Sequence, residues 1–401
     1  MDEAQERISV QISMTELERR WSAVRREMKA RGIDILIMQN TNQWLGGYVK
    51  WFTDVPAANG YPMTVVFPVD EEMAAINCGP WMSEESKLID LSARDWSLRG
   101  VKNRWTAPFF PSLHYSKTYD AELIAKYYGK RGKITVGWVN LSHIPAAFHN
   151  YIVEHMPLAT FVDATDFVDE IKAIKSPEEI ALIRRCAALQ DSAFEVALKN
   201  LVDGNRDHEV MAHIQFHLEM SGSEEQLIMA GSGPMGTATA MFKRHFMNRT
   251  MRKGDQFTLM IEANGPGGVY CELARTCVLG KASSELQEGF EVAKEAQVET
   301  LKRLKPGAVP GEILAAHNAF LRKHGYPEET RLYSHGQGYD LVERPAIRDD
   351  ETMIIRQNMN ITVHPIVATK TYFTWVCDNY LITETGVSDC LHKTAKKIFE
   401  V

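Results

Sequence analysis

Two glutamates flank a glycine-rich reversal near the middle of the chain. Glu262 and Glu272 lie in runs of aliphatic, aromatic and β-branched residues, and residues 264–268 between them are typical of a tight turn. A hairpin centred on Gly267 would make the glutamates direct cross-strand partners, with Cβ atoms roughly 4.5–5.5 Å apart. Carboxylates at that distance repel unless they share a proton, a cation or a cationic substrate group. The spacing therefore predicts a functional carboxylate pair or, if the register is shifted by one residue, two side chains that diverge into water.

The overall composition limits the function classes. The chain has 401 residues, a net charge of -7 and no run of basic residues interleaved with aromatics, so nucleic acid is not expected as a partner. Its first residues are charged, and no window approaches the roughly 18 apolar residues of a membrane helix, which predicts a cytoplasmic protein without a membrane partner. The six cysteines lack CxxC spacing, so buried thiols are expected rather than disulfides.

Strands and helices alternate in the first part of the chain. Residues 14–32 have apolar positions at helical spacing and end at a glycine, and residues 33–38 follow as a short apolar strand. Further strands are predicted at 62–69, 73–78, 134–139 and 160–163, helices at 120–128 and 144–155, and an aromatic loop at 40–54. This order predicts an α/β domain over residues 1–165.

A capped helix starts the second part of the chain. Ser176, Pro177 and Glu179 combine an N-cap, a first-turn proline and a capping box, and the helix is expected to reach residue 201. Further helices are predicted at 207–220, 284–304 and 310–324, a pocket-lining loop at 229–241, and short strands after residue 331. This order predicts an α+β domain over residues 166–401.

Several short motifs follow one another in a specific order. They are IKSPEE at 174–179, KGD at 253–255, ELART at 272–276, LKPG at 304–307, SHGQG at 334–338, VHP at 363–365 and DNYLIT at 378–383. In this order they resemble the creatinase, aminopeptidase P and prolidase family, over essentially the whole chain. The resemblance implies an α/β creatinase-like N-terminal domain, an α+β pita-bread catalytic domain and a homodimer.

The resemblance also implies where a metal centre would lie. Metal-dependent members hold two divalent ions with two aspartates on the hairpin, one histidine and two later glutamates. In this chain Glu262 falls at or next to the first aspartate, Glu272 falls at the second, and His335 matches the histidine.

Three departures from the family pattern weaken the expectation of two ions. His364 and Cys377 replace the two later glutamates, and Val342 replaces a further catalytic histidine. Because carboxylates bridge paired cations, their loss argues against two ions. A metal-free polar pocket, as in the metal-independent creatinase branch that the chain resembles, is favoured because nothing in the sequence shows the tetrahedral geometry that zinc needs. The alternative is a single zinc, iron or manganese ion held by Glu272, His335, His364 and Cys377.

A histidine ahead of the KGD motif serves creatinase as its acid and base. His245 lies two positions closer to that motif than the creatinase residue, within the basic segment 243–249. A histidine titrates near neutrality and can both donate and accept a proton. The resemblance therefore makes His245 the first candidate for the acid–base catalyst, and an ordinary histidine in a basic connector is the alternative.

Substrate contacts are predicted at further places. Arg344 falls near an arginine that holds a carboxylate in creatinase, although an ion pair with Glu343 or Asp349 would explain it equally well. Tyr61 stands where creatinase has a second arginine, which reaches in from the partner subunit. The residues that could line an apolar or cation-binding pocket, or else pack in the core, are Trp51, Phe52, Tyr339, Phe373, Trp375 and Cys377.

Together these residues predict a hydrolase that cleaves a C–N bond in a small polar molecule. His245 would activate water and protonate the leaving nitrogen, Glu262 and Glu272 would hold a cationic or amide group, and His335 and His364 would orient the scissile group. The alternatives are a metal-dependent Xaa-Pro dipeptidase or aminopeptidase, a lyase on the same scaffold, and a family member that binds a metabolite or protein without turnover.

Overall fold

The computed structural model describes residues 10–45, 47–79, 97–110, 112–113 and 118–401. It divides the chain into two units, Met1–Lys172 and Ala173–Val401. Among the described residues, no helix is both long and apolar enough to cross a membrane.

A mixed sheet forms the centre of the first unit. Its described strands are β1 Ile35–Asn40, β2 Met63–Pro68, β3 Met73–Gly79, β4 Val101–Pro108, β5 Thr135–Trp138 and β6 Thr160–Asp163. They lie in the order β4-β3-β2-β1-β5-β6, with β1 parallel to β5 and antiparallel to β2. The accompanying helices are α1 Met14–Arg31, α2 Tyr48–Thr53, α3 Tyr119–Tyr128, α4 Ala146–His155 and α5 Thr165–Lys172. This architecture confirms the α/β class predicted for the first part of the chain.

Local signals explain helix α1 but not helix α2. Ser13 caps the start of α1 by accepting the backbone N–H of Glu16, and Gly32 ends it in the left-handed region at φ 64°. The loop prediction for residues 40–54 is wrong over Tyr48–Thr53, which is helical. All side chains of α2 are buried, and a helix buried on every side shows no polar face from which its period can be recognised.

Helices and small sheets make up the second unit. The helices are α6 Pro177–Asn200, α7 Asp207–Met220, α8 Ser284–Leu301 and α9 Pro310–Lys323. The strands are β7 Gln226–Pro234, β8 Asp255–Asn264, β9 Tyr270–Val278, β10 Ser334–Gly336, β11 Glu343–Ala346, β12 Asn360–Val363, β13 Ile366–Ala368, β14 Phe373–Trp375, β15 Asp378–Leu381 and β16 Phe399–Glu400. They form sheets in the orders β16-β9-β8-β7, β11-β10-β12-β15 and β13-β14. This arrangement confirms the predicted α+β class.

The predicted capping box starts helix α6. The hydroxyl of Ser176 accepts the backbone N–H of Glu179 at 3.2 Å, and the Glu179 carboxylate accepts the backbone N–H of Ser176 at 2.8 Å. Two N–H groups that the helix leaves unpaired are thereby satisfied.

The central hairpin has the predicted register. Strands β8 and β9 pair antiparallel, and Glu262 lies directly opposite Glu272. On one face of the hairpin, Leu259, Ile261 and Leu273 pack into a core with α6 and α7. Because side chains alternate along a strand, both glutamates project from the opposite face. The loop predicted at residues 229–241 is wrong as far as residue 234, because β7 pairs with β8 along that stretch.

A backbone bridge joins the hairpin to the C-terminal sheet. The N–H groups of Ala274 and Cys377 donate to each other's carbonyl groups at 3.3 and 3.1 Å. Cys377 directly precedes β15, which pairs with β12, and β12 pairs with β10. His335 lies in β10 and His364 directly follows β12, so these pairings bring both histidines towards the hairpin.

Candidate metal and catalytic site

Three potential metal ligands converge on one face of the hairpin. Glu272, His335 and His364 are buried, and each offers one ligand atom within 4.8 Å of the other two. They come from strand β9, from strand β10 and from the residue that follows β12. We call these three residues the ligand trio. In the structure one glutamate of the hairpin and the two late histidines lie close together.

His335 presents an unprotonated nitrogen to Glu272. Its Nδ1 lies 2.8 Å from the carbonyl oxygen of Gly336, and because a carbonyl can only accept, Nδ1 carries the proton. Burial lowers the pKa of His335 to about 4, so the ring is neutral at pH 7 and Nε2 carries a lone pair. That Nε2 lies 3.8 Å from Oε2 of Glu272, too far for a hydrogen bond.

His364 provides a second nitrogen without a protein partner. Its Nε2 is buried and makes no hydrogen bond with the described residues, and its ring meets that of His335 edge to face at 5.2 Å. Burial, then the neighbouring His335 and Arg331, hold its pKa well below the ordinary value. A buried polar atom without a partner is costly, and a ligand bound to this nitrogen would remove that cost.

Burial also changes the ionisation of the carboxylates. It raises the pKa of Glu272 to about 7, against the lowering influence of Cys377 and Arg331. For Glu262, burial and then the charge of Glu272 raise the pKa well above its ordinary value. The facing carboxylates therefore do not ionise independently near neutral pH.

The ligand trio fits a single divalent ion. Two ligands about 2.1 Å from one tetrahedral zinc ion lie about 3.4 Å apart, close to the 3.8 Å between His335 Nε2 and Glu272 Oε2. Two histidines and one glutamate also match a known type of catalytic zinc site, which keeps an open position for water or substrate. The donor set does not supply the second set of carboxylates that a pair of ions requires.

Cys377 borders the ligand trio but is not part of it. Among the described residues, its Sγ does not lie within 4.8 Å of all three ligand atoms. It contacts the hydroxyl of Thr362 at 3.1 Å and the backbone carbonyl of Glu272 at 3.4 Å. Burial holds the pKa of the thiol well above its ordinary value, so the thiol is protonated in this environment. Its predicted role as a fourth ligand stays a prediction.

Glu262 belongs to a different set of contacts. Its Oε1 accepts a hydrogen bond from Nε2 of Gln337 at 2.9 Å, and Glu262 is not among the clustered metal ligands of the described residues. Gln337 in turn contacts Asn379, which also accepts the backbone N–H of Glu272 at 2.8 Å. Sequence reasoning missed Gln337 and Asn379. Their position inside the recognised motifs SHGQG and DNYLIT was the available signal.

An apolar cluster adjoins the carboxylate pair. Met260 and Ala274 lie on the same face of the hairpin as the glutamates, and they pack with Phe373, Trp375 and Cys377. The half-buried side chains of this cluster are Met229, Ala238, Ala240, Met241, Ile366 and Ala368. The indole Nε1 of Trp375 is buried without a hydrogen bond to the described residues. The cluster therefore places apolar side chains on the face of the hairpin that carries the carboxylates.

The remaining predicted residues have other surroundings. His245 is exposed on the turn Arg244–Phe246 and is not among the clustered ligands of the described residues, so its acid–base role stays a prediction. Arg344 binds Glu351 bidentately, at 2.5 Å through Nη2 and 3.1 Å through Nε. Arg344 therefore forms an ion pair in the structure. Its partner here, Glu351, was not among the residues that the sequence suggested.

The other predicted aromatic residues lie in both units of the chain. Trp51 and Phe52 are core residues of the first unit, where their rings meet edge to face at 5.1 Å. Tyr61, also in the first unit, is half-buried against Phe109. Tyr339 is buried in the second unit.

A second group of potential metal ligands has a structural role in the second unit. Asp378, Cys390 and His392 also offer ligand atoms within 4.8 Å of one another. However, Nη2 of Arg275 donates to Asp378 at 2.7 Å, and Nζ of Lys396 lies 3.5 Å from its other oxygen. Two cations around one carboxylate oppose a bound metal ion. The same arginine donates to both carbonyl groups of the bridge between β9 and the C-terminal sheet, so this group stabilises the scaffold of the site.

Solved structures share the architecture of this chain. The prolidase from Pyrococcus horikoshii matches with a TM-score of 0.72, at 19% identity, over 94% of this chain and 99% of that chain. The dipeptidase PepE from Mycobacterium ulcerans matches with a TM-score of 0.77, at 19% identity, over 98% of this chain and 100% of that chain. These likenesses confirm the predicted pita-bread fold.

Sequence comparison then identifies the family. The model of metallopeptidase family M24 matches residues 181–384, just over half of the chain. The protein therefore belongs to metallopeptidase family M24. The Xaa-Pro dipeptidase of Pyrococcus horikoshii is 25% identical over 270 residues, covering 64% of this chain and 73% of that protein. The Xaa-Pro dipeptidase of Pyrococcus furiosus is 26% identical over 251 residues, covering 59% and 68%.

Proposed function

We propose that this protein hydrolyses peptide C–N bonds with one divalent metal ion, zinc, iron or manganese, held by the ligand trio. The observation that carries the proposal is the convergence of Glu272, His335 and His364 within 4.8 Å. The neutral His335 and the unpartnered His364 both offer lone pairs there. Nitrogen and oxygen donors of this kind suit these ions.

The relatives favour this peptidase over the metal-free hydrolase that the sequence departures suggest. Two relatives that match more than half of this chain carry the name Xaa-Pro dipeptidase. The replacements at His364 and Cys377 remove carboxylates that would bridge two ions, but His364 restores a ligand for one ion. These two replacements of family residues are therefore compatible with a site that holds one ion instead of two.

The residues around the ligand trio have distinct roles in this proposal. A bound ion would supply a Lewis acid and lower the pKa of a bound water. The Gly336 carbonyl fixes the ring of His335 through its Nδ1 proton, as is usual for metal-binding histidines. Glu262 provides a second carboxylate beside the trio, and an apolar side chain of the substrate would pack against the half-buried residues of the apolar cluster. Short peptides with an apolar residue, Xaa-Pro dipeptides first, are the proposed substrates.

Metal content and turnover test the proposal together. Purified protein is analysed for metal, treated with a chelator, and assayed on a panel of Xaa-Pro dipeptides before and after zinc, iron or manganese is restored. We expect about one equivalent of metal per chain, loss of hydrolysis on chelation and recovery with one of the ions. Full turnover by metal-free protein would refute the proposal and favour metal-free C–N hydrolysis.

A lyase and a non-catalytic binding protein would each give a different result in the same assay. An unsaturated product in place of hydrolysis products would identify a lyase, and tight peptide binding without turnover under any metal would identify a binding protein. We also propose a homodimer, as the family resemblance implies. A monomer mass in light scattering at assay concentration would contradict it.

A further inference from the structure

The ligand trio contains two imidazole rings and only one carboxylate. We propose that His364 makes the trio a four-coordinate, nitrogen-rich site that selects zinc over manganese. The inference rests on the proposed function, which allows zinc, iron or manganese, and it names both the ion and the residue that selects it. His364 is the specificity-determining residue in this proposal, and it acts as a ligand of the ion.

The donor atoms of the trio determine which ions it suits. The Nδ1 of His335 lies 2.8 Å from the Gly336 carbonyl, which leaves Nε2 as the donor to an ion. The Nε2 of His364 is buried and makes no hydrogen bond with the described residues. Imidazole nitrogen suits zinc, whereas manganese and magnesium prefer carboxylate, carbonyl and water oxygens. With Glu272 as its single carboxylate, the trio therefore favours zinc.

Oxygen atoms near the trio already take part in other contacts. The thiol of Cys377 donates to the backbone carbonyl of Glu272 at 3.4 Å. The Oε1 of Glu262 accepts from Gln337 at 2.9 Å, and among the described residues Glu262 does not belong to the clustered ligands. A six-coordinate ion would therefore take most of its remaining ligands from water. Because such an ion is already surrounded by water in solution, it gains little by binding here.

The spacing of the donors also distinguishes four ligands from six. The Nε2 of His335 and the Oε2 of Glu272 lie 3.8 Å apart. Adjacent donors on a tetrahedral zinc ion lie roughly 3.4 Å apart, whereas adjacent donors on an octahedral ion with bonds of about 2.1 Å lie roughly 3.0 Å apart. The observed spacing is closer to that of the tetrahedral ion, so zinc requires the smaller movement of the two side chains.

Backbone contacts hold His364 in this arrangement. It directly follows strand β12, and its backbone N–H donates to the carbonyl of Tyr333 at 2.8 Å. Its ring meets that of His335 at 5.2 Å between centroids, with an angle of 74° between the ring planes. Rings crossed in this way can direct both Nε2 atoms to one ion without stacking on each other. The two nitrogen donors are thus in place before an ion binds, and geometry is one of the means by which proteins select metals.

Metal competition tests the selectivity. Titration of chelator-treated full-length protein against a chromophoric chelator gives the dissociation constants for zinc and for manganese. Wild type should bind zinc at least about 100-fold more tightly than manganese. His364→Glu replaces a nitrogen donor with carboxylate oxygens and should lower this ratio at least about 10-fold. The matched control His213→Glu makes the same exchange at an exposed position of helix α7, and its ratio should stay within about threefold of wild type.

Cobalt(II) in place of zinc reports the coordination number without any variant. Four-coordinate cobalt absorbs visible light strongly, whereas six-coordinate cobalt absorbs it weakly. Cobalt-loaded wild type should therefore absorb strongly, and added zinc should remove the signal because zinc binds such sites more tightly than cobalt. The spectrum of His364→Glu should move towards the weak, six-coordinate form. Thermal denaturation confirms that this variant is folded before its metal affinities are compared.

The outcomes separate this inference from the proposed function. Weak cobalt absorption by wild type, or a zinc-to-manganese ratio that His364→Glu leaves unchanged, would overturn the inference. Manganese-loaded wild type that binds its ion as tightly as zinc and hydrolyses Xaa-Pro dipeptides would overturn the inference and support the peptidase. Zinc-selective protein that hydrolyses no peptide would support the inference and refute the peptidase. Wild type that binds none of these ions would refute both.

Discussion

Replacing Glu272 with glutamine should stabilise the metal-free protein while it abolishes the metal site. Burial raises the pKa of Glu272 from an ordinary value of 4.5 to about 7. Because each pKa unit corresponds to ~1.4 kcal/mol, ionising this buried carboxylate costs the folded state about 3 kcal/mol. The unfolded chain ionises first, so the stability is fully present below pH 4.5 and is lost as the pH rises through about 7. Glutamine keeps the shape of the side chain without the charge.

Urea denaturation of chelator-treated protein at two pH values measures this effect. At pH 8 the variant should be more stable than wild type by about 3 kcal/mol, and at pH 5 by less than about 1 kcal/mol. Zinc at a hundred times its dissociation constant should stabilise wild type by about 3 kcal/mol and leave the variant unchanged. Glu195→Gln, at an exposed position of helix α6, is the matched control and should show neither effect.

Two results would refute the reasoning. A variant that is less stable than metal-free wild type at pH 8 would show that the Glu272 carboxylate is stabilised by its surroundings rather than strained by burial. A zinc-dependent stabilisation of the variant equal to that of wild type would show that Glu272 does not bind the ion.

Further substitutions test the trio and its scaffold. His364→Ala should lower zinc affinity at least 10-fold, because it removes a ligand; an unchanged zinc titration would remove His364 from the site. Ser176→Ala should lower the free energy of unfolding by about 1 kcal/mol, since it removes the N-cap of helix α6; an unaltered urea midpoint would count against that contribution. Asp378→Asn should cost about 3–5 kcal/mol, because it leaves the buried Arg275 charge without its partner. Near wild-type thermal stability in that variant would contradict the structural role assigned to the pair.

Short-range features of the sequence were sufficient to predict several elements. Gly32 and Ser176 marked the end of α1 and the start of α6, because capping depends on residues within one turn of the helix. The register of Glu262 opposite Glu272 followed from the position of the glycine reversal, because a tight turn determines which residues of its two strands face each other. Alternation alone then placed both glutamates on the face opposite the hydrophobic core.

Other features depend on contacts between distant segments. The helix Tyr48–Thr53 is buried on every side, and strand β7 is recognised by its pairing with β8, so neither has a distinctive local pattern. The sequence also left open whether Glu272, His335 and His364 hold a metal ion or act with His245 in a metal-free pocket, because motif order does not show which side chains are buried together.

The sequence by itself determined the family motifs and the two fold classes, and it offered the pairing of the hairpin glutamates as one of two possible registers. Only the tertiary structure decided that His335 and His364 join Glu272, while Glu262 is bound by Gln337 and Cys377 remains outside the trio. The physical reason is that these relations run through the bridge between Ala274 and Cys377 and through amides that are far apart in sequence. Spacing along the chain carries no information about such distances.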